Sequence, residues 1–388
     1  MKPWLDSLPN KFSTPIHWNK NELESLQYSH MIEAVKIQSQ AWKHEYNKLL
    51  EKAGGQSSYF ENHISFDAFV WGCEIARSRA FSAKFAGSAF NPGPYAFTLF
   101  LVIAYVGLGL GTVEQAANGA GLVFCGSILK DFVLPKLAKT RRYVICPFID
   151  MANHVSCGEK GQVAFEYFSN GYSLAMNGSG ILNKDSELFI SYGPRSNDQL
   201  LQYYGFIEND NPHDVYVMPP LREWNIEAME KACGREFSTE RIQKLDRAGL
   251  LGDTSNDDKI EFGTEDDSAN RGRGVVLTRA NGIDPAVMTA IRALVSSDVE
   301  WETAGEAIGN FAAENSGGVE NERIARLAVK SALELELVTK PTTIEEDEAI
   351  IKKAFSKSKL YLMDENDLMA VRFRLEKKKI LQNIINSI

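Results

Sequence analysis

From Phe85 to Val113 the chain runs for 29 residues without one Asp, Glu, Lys or Arg. A stretch this apolar must be covered, either by protein or by lipid, and that limits the possible folds more than any other feature. Its centre, Ala96 to Gly111, is apolar except for Thr98 and Tyr105. Two apolar stretches, Tyr95–Leu110 and Ala116–Leu129, flank the short connection Gly111-Thr112-Val113-Glu114-Gln115. The pattern predicts a helical pair, with Thr112 as the N-cap of the second helix. A membrane-crossing helix needs about 20 apolar residues, and Ala96–Gly111 offers 16. The expectation is a buried helical pair; a membrane hairpin through residues 95–129 is the alternative.

The rest of the chain has the composition of a soluble protein. At 388 residues it is long enough for two domains. Lys plus Arg is 42 and Asp plus Glu is 51, a formal charge of −9. That balance disfavours non-specific nucleic-acid binding, which depends on neutralising phosphates with Lys and Arg. The five cysteines, at 73, 125, 146, 157 and 233, form no C-x-x-C pair, so neither a disulfide scaffold nor a zinc cluster is expected. His154 and Cys157 have H-x-x-C spacing but no second ligand pair, so no metal is expected. The opening MKPWLDSLPNKF lacks the apolar stretch of a signal peptide and reads as domain interior.

Helical periodicity runs over Asn21–Ala53, and Ser65 or Asp67 can cap a helix through 68–81. Tyr143–Phe148 reads as a short buried strand. Val163–Tyr167 and Tyr172–Met176 read as strands around Asn170-Gly171, and Glu187–Tyr192 as another. Composition shifts after Pro219-Pro220, and seven acids with one Lys between Asp253 and Asp267 mark a solvated loop. Beyond lie helical patterns over Pro285–Val295, Glu302–Glu314, Glu320–Val338 and Asp364–Ile388, with a helix start at 342–347. The fold class is α+β to about residue 218, followed by an all-α domain over 219–388. The basic run Arg372–Lys379 reads as a solvated face of the last helix.

Two clusters in the strand-rich part carry chemistry. Asp150-Met151-Ala152-Asn153-His154 follows a buried strand. Ile190-Ser191-Tyr192-Gly193 is followed by Ser196-Asn197 and Tyr203-Tyr204-Gly205-Phe206. Together they place an Asn-His turn and two tyrosines, one on each side of a short helix over 196–203, near each other in the chain. Buried tyrosine hydroxyls require partners, so the cluster describes a polar pocket without an obvious nucleophile.

In order, these motifs resemble SET-domain protein methyltransferases of the Rubisco large-subunit lysine methyltransferase type. Trp4-Leu5-Asp6-Ser7-Leu8-Pro9, Ser78-Arg79-Ala80-Phe81, the segment 147–154, and the tyrosine motifs at 187–193 and 203–206 carry the resemblance. So do Asn321-Glu322, Thr342–Asp347 and Arg372–Leu381 in the C-terminal half, and the likeness covers nearly the whole chain. It implies a SET-type β fold over 1–218, with a helical insert at about 5–81, an unusual apolar insertion at 82–142 and a core at 143–207. A helical substrate-binding domain follows. It also implies S-adenosyl-L-methionine as cofactor and a lysine-bearing protein segment as substrate, with a monomeric enzyme. By resemblance, Tyr192 is the catalytic tyrosine, its hydroxyl near the methyl and the amine. Tyr204 is the second wall of the lysine channel. Asn153 and His154 contact the cofactor, Arg79 pairs with its carboxylate, and Phe206 stacks near its adenine.

The same layout occurs in a sister branch that methylates histidine, which keeps a histidine acceptor open. The family begins with strands bearing a G-x-G turn, and nothing before Trp4 supplies one. The chain therefore resembles a SET protein without its first strands, and a non-catalytic protein-binding module is a further alternative. Arg271-Gly272-Arg273-Gly274 imitates that turn but lies after the tyrosine motifs, and reads as a turn into a strand. The resemblance also requires Arg79 and Asn153 on one side of any membrane, which excludes a single span between them. The compartment stays open between cytoplasm and plastid, with a soluble protein favoured.

Overall fold

The computed structural model describes residues 2–52, 64–84, 92–129, 141–158, 160–166, 171–176, 186–252, 274–356 and 363–388. It is a mixed helix and sheet structure of the α+β class that divides into two compact units. One comprises residues 1–10 and 71–193, the other 11–70 and 194–388. This division is cut differently from the domain boundary expected at 218, which falls inside the second unit. The acidic stretch 253–267 and residues 271–273 lie outside the described residues.

In the first unit, strand β1 (Ala80–Lys84) pairs antiparallel with β2 (Arg141–Ile145), Ala80 opposite Ile145 and Lys84 opposite Arg141. A second sheet holds β3 (Asn153–His154), β4 (Gly161–Glu166), β5 (Gly171–Met176) and β6 (Phe189–Ile190), in the order β3-β6-β4-β5. β6 is parallel to both β3 and β4, and β4 and β5 form the expected antiparallel pair. The strand expected over 187–192 shrinks to Phe189–Ile190. Between β1 and β2 stand two helices, Pro92–Gly107 and Val113–Ile128. Thr112 caps the second, accepting from Gln115 N, while Gln115 Oε1 accepts from Thr112 N at 3.1 Å. The expectation of a buried pair is overturned. Leu99, Phe100, Ile103 and Leu122 are exposed, because the helices bury little beyond their mutual contact. No helix of the described residues is long and apolar enough to cross a membrane.

The second unit contains the large apolar core. Leu26, Met31, Leu201, Leu277, Ile291, Val329, Phe373 and Leu381 belong to one buried cluster. Full burial of side chains of this kind stabilises by about 1.5–3 kcal/mol each. The helical pattern over 21–53 is broken: Lys20–Glu24 ends before helix Ser29–Lys52, and Gln27 takes φ 51° between them. The break turns Tyr28 into the core, where its hydroxyl accepts from Val217 N at 2.7 Å. Helices Pro285–Val295 and Val319–Val338 match their patterns, and Glu365–Ser387 follows its cap Asp364. The helix expected over 302–314 is instead a short helix, Asp298–Thr303, and a 3-10 turn, Ile308–Phe311, separated at Gly305 with φ 78°.

This half is not purely helical. Strand β7 (Val215–Met218) pairs with β8 (Val275–Thr278), which pairs with β9 (Gly282–Ile283). Gly274 is where the chain turns into β8, as the sequence suggested. A Cβ there would lie 2.2 Å from the Met218 carbonyl oxygen, so only glycine fits the approach to β7.

The basic run of the last helix is buried, contrary to the solvated face expected. Lys377 Nζ donates to Asp214 Oδ1 and to Val215 O, both at 2.7 Å, and to Asp198. Lys378 Nζ donates to Asp347 Oδ2 at 2.7 Å, and Arg374 Nη2 to Asp347 Oδ1 at 2.7 Å. Charges enter a core only when paired and hydrogen-bonded, and here the carboxylates are supplied by distant parts of the chain. Burial alone would lower the Lys377 pKa, but Asp198 and Asp214 outweigh it and hold the amine above its usual value. With two carboxylates around one cation, burial pushes the Asp214 carboxyl up.

Lys377→Met is expected to destabilise the protein by about 3–5 kcal/mol, since it leaves buried carboxylates uncompensated. Urea unfolding measures this, and adding Asp214→Asn should recover part of the loss. A second expectation concerns acid. Arg292 Nε donates to Glu322 Oε2 at 2.6 Å and Arg292 Nη2 to Glu322 Oε1 at 3.2 Å. Burial opposes the ionised form of Glu322, but the bonds from Arg292 and Asn315 N outweigh it and lower the pKa. Its contribution to stability is therefore complete above the ordinary carboxylate range and is lost as pH falls below about 4. Glu322→Gln should remove that part of the acid dependence from the unfolding profile.

Candidate functional site

The first cluster is built around a buried carboxylate. After β2 the chain turns sharply at Phe148, which takes φ 75°, and enters a 3-10 turn, Ile149–Met151. A non-glycine residue in that region is strained and needs support. Support comes through Asp150, whose side chain is fully buried. Its carboxylate accepts from Trp4 Nε1 at 2.9 and 3.1 Å and from Arg79 Nη1 at 3.2 Å. Arg79 Nη1 also reaches the Asp150 carbonyl at 3.3 Å. The segment 4–9 is thus tied down, and Trp71 Nε1 adds a bond to Pro9 O at 2.8 Å. Arg79 was expected to face a cofactor carboxylate; the partner observed is Asp150. Its Nε is buried and meets no acceptor among the described residues.

The turn delivers Asn153 and His154 to β3, alongside β6. His154 is buried, and its Nδ1 accepts the Tyr192 amide at 3.0 Å. The ring hydrogen is thereby assigned to Nε2, which faces Ser156 Oγ at 3.1 Å. The imidazole stacks on the Tyr192 ring, 5.0 Å between centroids and 24° between planes. The Tyr192 hydroxyl donates to Ala152 O at 2.9 Å. Tyr192 is therefore held at its hydroxyl by Ala152 and at its amide and ring by His154. A phenol whose hydrogen is committed to a carbonyl acts towards other groups as an acceptor. Asn153 is exposed and its amide donates to Glu187, just before β6.

Tyr204 and Phe206 belong to the second unit. Helix Asn197–Tyr204 is capped by Ser196 and closed by Gly205, with φ 76°. Tyr204 and Phe206 flank that glycine, their ring centroids 6.1 Å apart. A side chain at 205 would be strained there and would crowd Ser13. The helix start is fixed by Asn197, which is fully buried. Its amide donates to Asp214 Oδ1 at 2.9 Å, its Nδ2 to Asp214 Oδ2 at 3.0 Å, and its Oδ1 accepts from Glu208 N at 3.0 Å. The structure thus gathers Arg79, Asn153, His154 and Tyr192 in the first unit, and Tyr204 with Phe206 in the second. No group of three metal-ligating side chains occurs among the described residues.

Asp150, Asn197, Asp214 and Lys377 were not singled out from the sequence. Asp150 stood inside the quoted 147–154 motif, directly after a buried strand. Lys377 could have been found from Phe373, Ile380 and Leu381, which interleave the basic run with apolar residues at helical spacing.

Residues 235–381 match the family model for Rubisco LSMT substrate-binding. The chain is 23% identical over 243 residues to the ribosomal lysine N-methyltransferase set10 of Schizosaccharomyces pombe, covering 61% of this chain and 34% of that protein. It is 21% identical over 391 residues to the chloroplastic ribulose-1,5 bisphosphate carboxylase/oxygenase large subunit N-methyltransferase of Nicotiana tabacum, covering 99% of this chain and 62% of that one. A solved structure of Rubisco LSMT bound to sinefungin and monomethyllysine superposes with a TM-score of 0.53 at 16% identity, over 100% of this chain and 69% of that one. Another, bound to AdoMet, gives 0.52 at 16%, again over 100% and 69%. The resemblance to SET-domain methyltransferases of the Rubisco LSMT type holds in sequence and in fold. The chain spans about a third of the length of the yeast ribosomal lysine methyltransferases it matches.

Asp150→Ala should destabilise the protein by about 3 kcal/mol, because it strands the Arg79 guanidinium and the Trp4 indole together. Chemical denaturation followed by tryptophan fluorescence measures the loss, and Trp4→Phe should cost less because it removes only a neutral donor.

Proposed function

We propose that this chain is a protein-lysine N-methyltransferase that uses S-adenosyl-L-methionine. The observation that carries the proposal is the clamp on Tyr192 by Ala152 and His154, the strand-end motif and the tyrosine motif meeting across β3 and β6. The lysine methyltransferases among the relatives and the bound ligands of the similar structures agree with it.

The residues present fit the cofactor. Arg79 Nε is a buried donor without an acceptor among the described residues. A ligand carboxylate would complete it, since guanidinium pairs with carboxylate through parallel donors. Asn153 offers an exposed amide beside Glu187, suited to an amino-acid end. S-adenosyl-L-methionine supplies a methyl group on a sulfonium. The protein's part is positioning, which contributes much of the rate of such displacements. The reacting amine has to be neutral, and an apolar, desolvating channel lowers its pKa. In this reading Tyr192 orients the amine through its phenol oxygen. Tyr204 walls the channel, His154 and Asn153 contact the cofactor, and Phe206 packs near the adenine. The 219–388 half binds the protein that carries the lysine.

The test is transfer of a labelled methyl group to a protein extract, with mass spectrometry of the modified peptides. Tyr192→Phe keeps the ring stack on His154 and removes only the hydroxyl. Incorporation is expected to fall on the order of 100-fold, with the label on lysine. Label on histidine would move the acceptor to the sister branch. Undiminished incorporation would remove Tyr192 from the chemistry.

A further inference from the structure

The two helices between β1 and β2 have no place in the proposed chemistry, and their surface is the least explained of the molecule. They pack on each other through Tyr95 and Phe124, with ring centroids 5.3 Å apart, and through the buried Ala116. Apart from the exposed Glu114, Gln115 and Asn118 at the start of the second helix, the remaining surface is largely apolar. On helix Pro92–Gly107, Phe97, Leu99, Phe100, Leu101 and Ile103 are all exposed. At 3.6 residues per turn, positions this close in sequence cannot share one face. At the tip Leu108 and Leu110 are 74% and 66% exposed, and on the return helix Leu122 is 77% exposed.

A partner protein or a second copy would cover one stripe of such a hairpin and leave the rest in water. A lipid bilayer covers all sides at once. Charge is placed to match. In sequence Lys84 precedes the hairpin and Arg141 and Arg142 follow it, at the paired ends of β1 and β2. The run from 85 to 113 that leads to the tip carries no charge. Basic residues at the base of an apolar element complement anionic headgroups. Each helix has 16 residues, about 24 Å, against a hydrocarbon core of about 30 Å. The hairpin therefore enters and leaves on one side. Backbone groups at depth must be satisfied internally, and the Thr112–Gln115 capping box does this at the turn. The one acid of the hairpin, Glu114, lies in the first turn of the second helix.

We propose that the 92–128 hairpin inserts into an anionic lipid bilayer and anchors the first unit to its surface. The anchor is independent of methyl transfer and is tested without it. The full chain, purified in detergent, is mixed with vesicles of phosphatidylcholine and phosphatidylglycerol, or of phosphatidylcholine alone, and floated on a density gradient. Flotation with both is expected, and more strongly with the anionic vesicles. Leu99→Asp with Ile103→Asp replaces two exposed side chains, so folding should be preserved, as circular dichroism will verify. Partitioning of this variant should fall by roughly 100-fold or more. Lys84→Gln, Arg141→Gln and Arg142→Gln together should abolish the preference for anionic vesicles. A wild-type chain that stays at the bottom with both vesicles, or an aspartate variant that floats equally, overturns the proposal. So does a discrete dimer, seen by light scattering, that the aspartate variant separates and that does not float.

Discussion

The second unit turns on one buried amine. Lys377 enters the core from the last helix and meets Asp198 and Asp214, which lie far away in sequence. Asp214 also receives the amide and side chain of Asn197, so one carboxylate joins the last helix to the start of helix Asn197–Tyr204. That helix ends in Tyr204, Gly205 and Phe206. The helix that leads into these two aromatic side chains is thus tied to an ion pair whose partners, Asp214 and Lys377, are 163 residues apart in the chain. Such a pair contributes little net stability, because desolvation offsets attraction. It does impose geometry, since any other arrangement leaves a charge without a partner in an apolar interior.

The first unit uses the same device with a different carboxylate. Asp150 holds Trp4 and Arg79 and supports the strained turn at Phe148. Two residues further on, β3 begins, and its His154 takes the amide of Tyr192. Each cluster of candidate residues therefore stands on a buried acid. The proposed methyl transfer needs rigid placement more than acid–base power, and two acceptors, Ala152 O and His154 Nδ1, fix Tyr192.

Much of the fold was legible. Helix Pro285–Val295 was read to the residue, and Thr112 and the 342–347 start were found because a hydroxyl cap followed by Gln or Glu is a local signal. Strands β4 and β5 were recognised from alternation. The motifs put Tyr192 near the Asn153-His154 turn, and His154 contacts Tyr192 in the structure. Local signals failed elsewhere. The helix over 302–314 broke at Gly305, and the pattern over 21–53 broke at Gln27, both with positive φ. The basic run 372–379 was read as a solvated face, although Arg374, Lys377 and Lys378 are buried. Charge alone predicts exposure, and the carboxylates that reverse it come from residues 198, 214 and 347.

The amino-acid sequence determined where many helices and strands begin, which motifs stand in order, and that the 85–113 run carries no charge. These follow from short-range physics: capping, periodicity, and the absence of charge. Only the tertiary structure decided that Arg79 faces Asp150, that a lysine belongs in the core, and that the apolar hairpin stands outside the protein instead of under it. Those outcomes depend on partners brought together across the fold, and a buried charge or an exposed leucine is defined by its neighbours, which no local window of sequence contains.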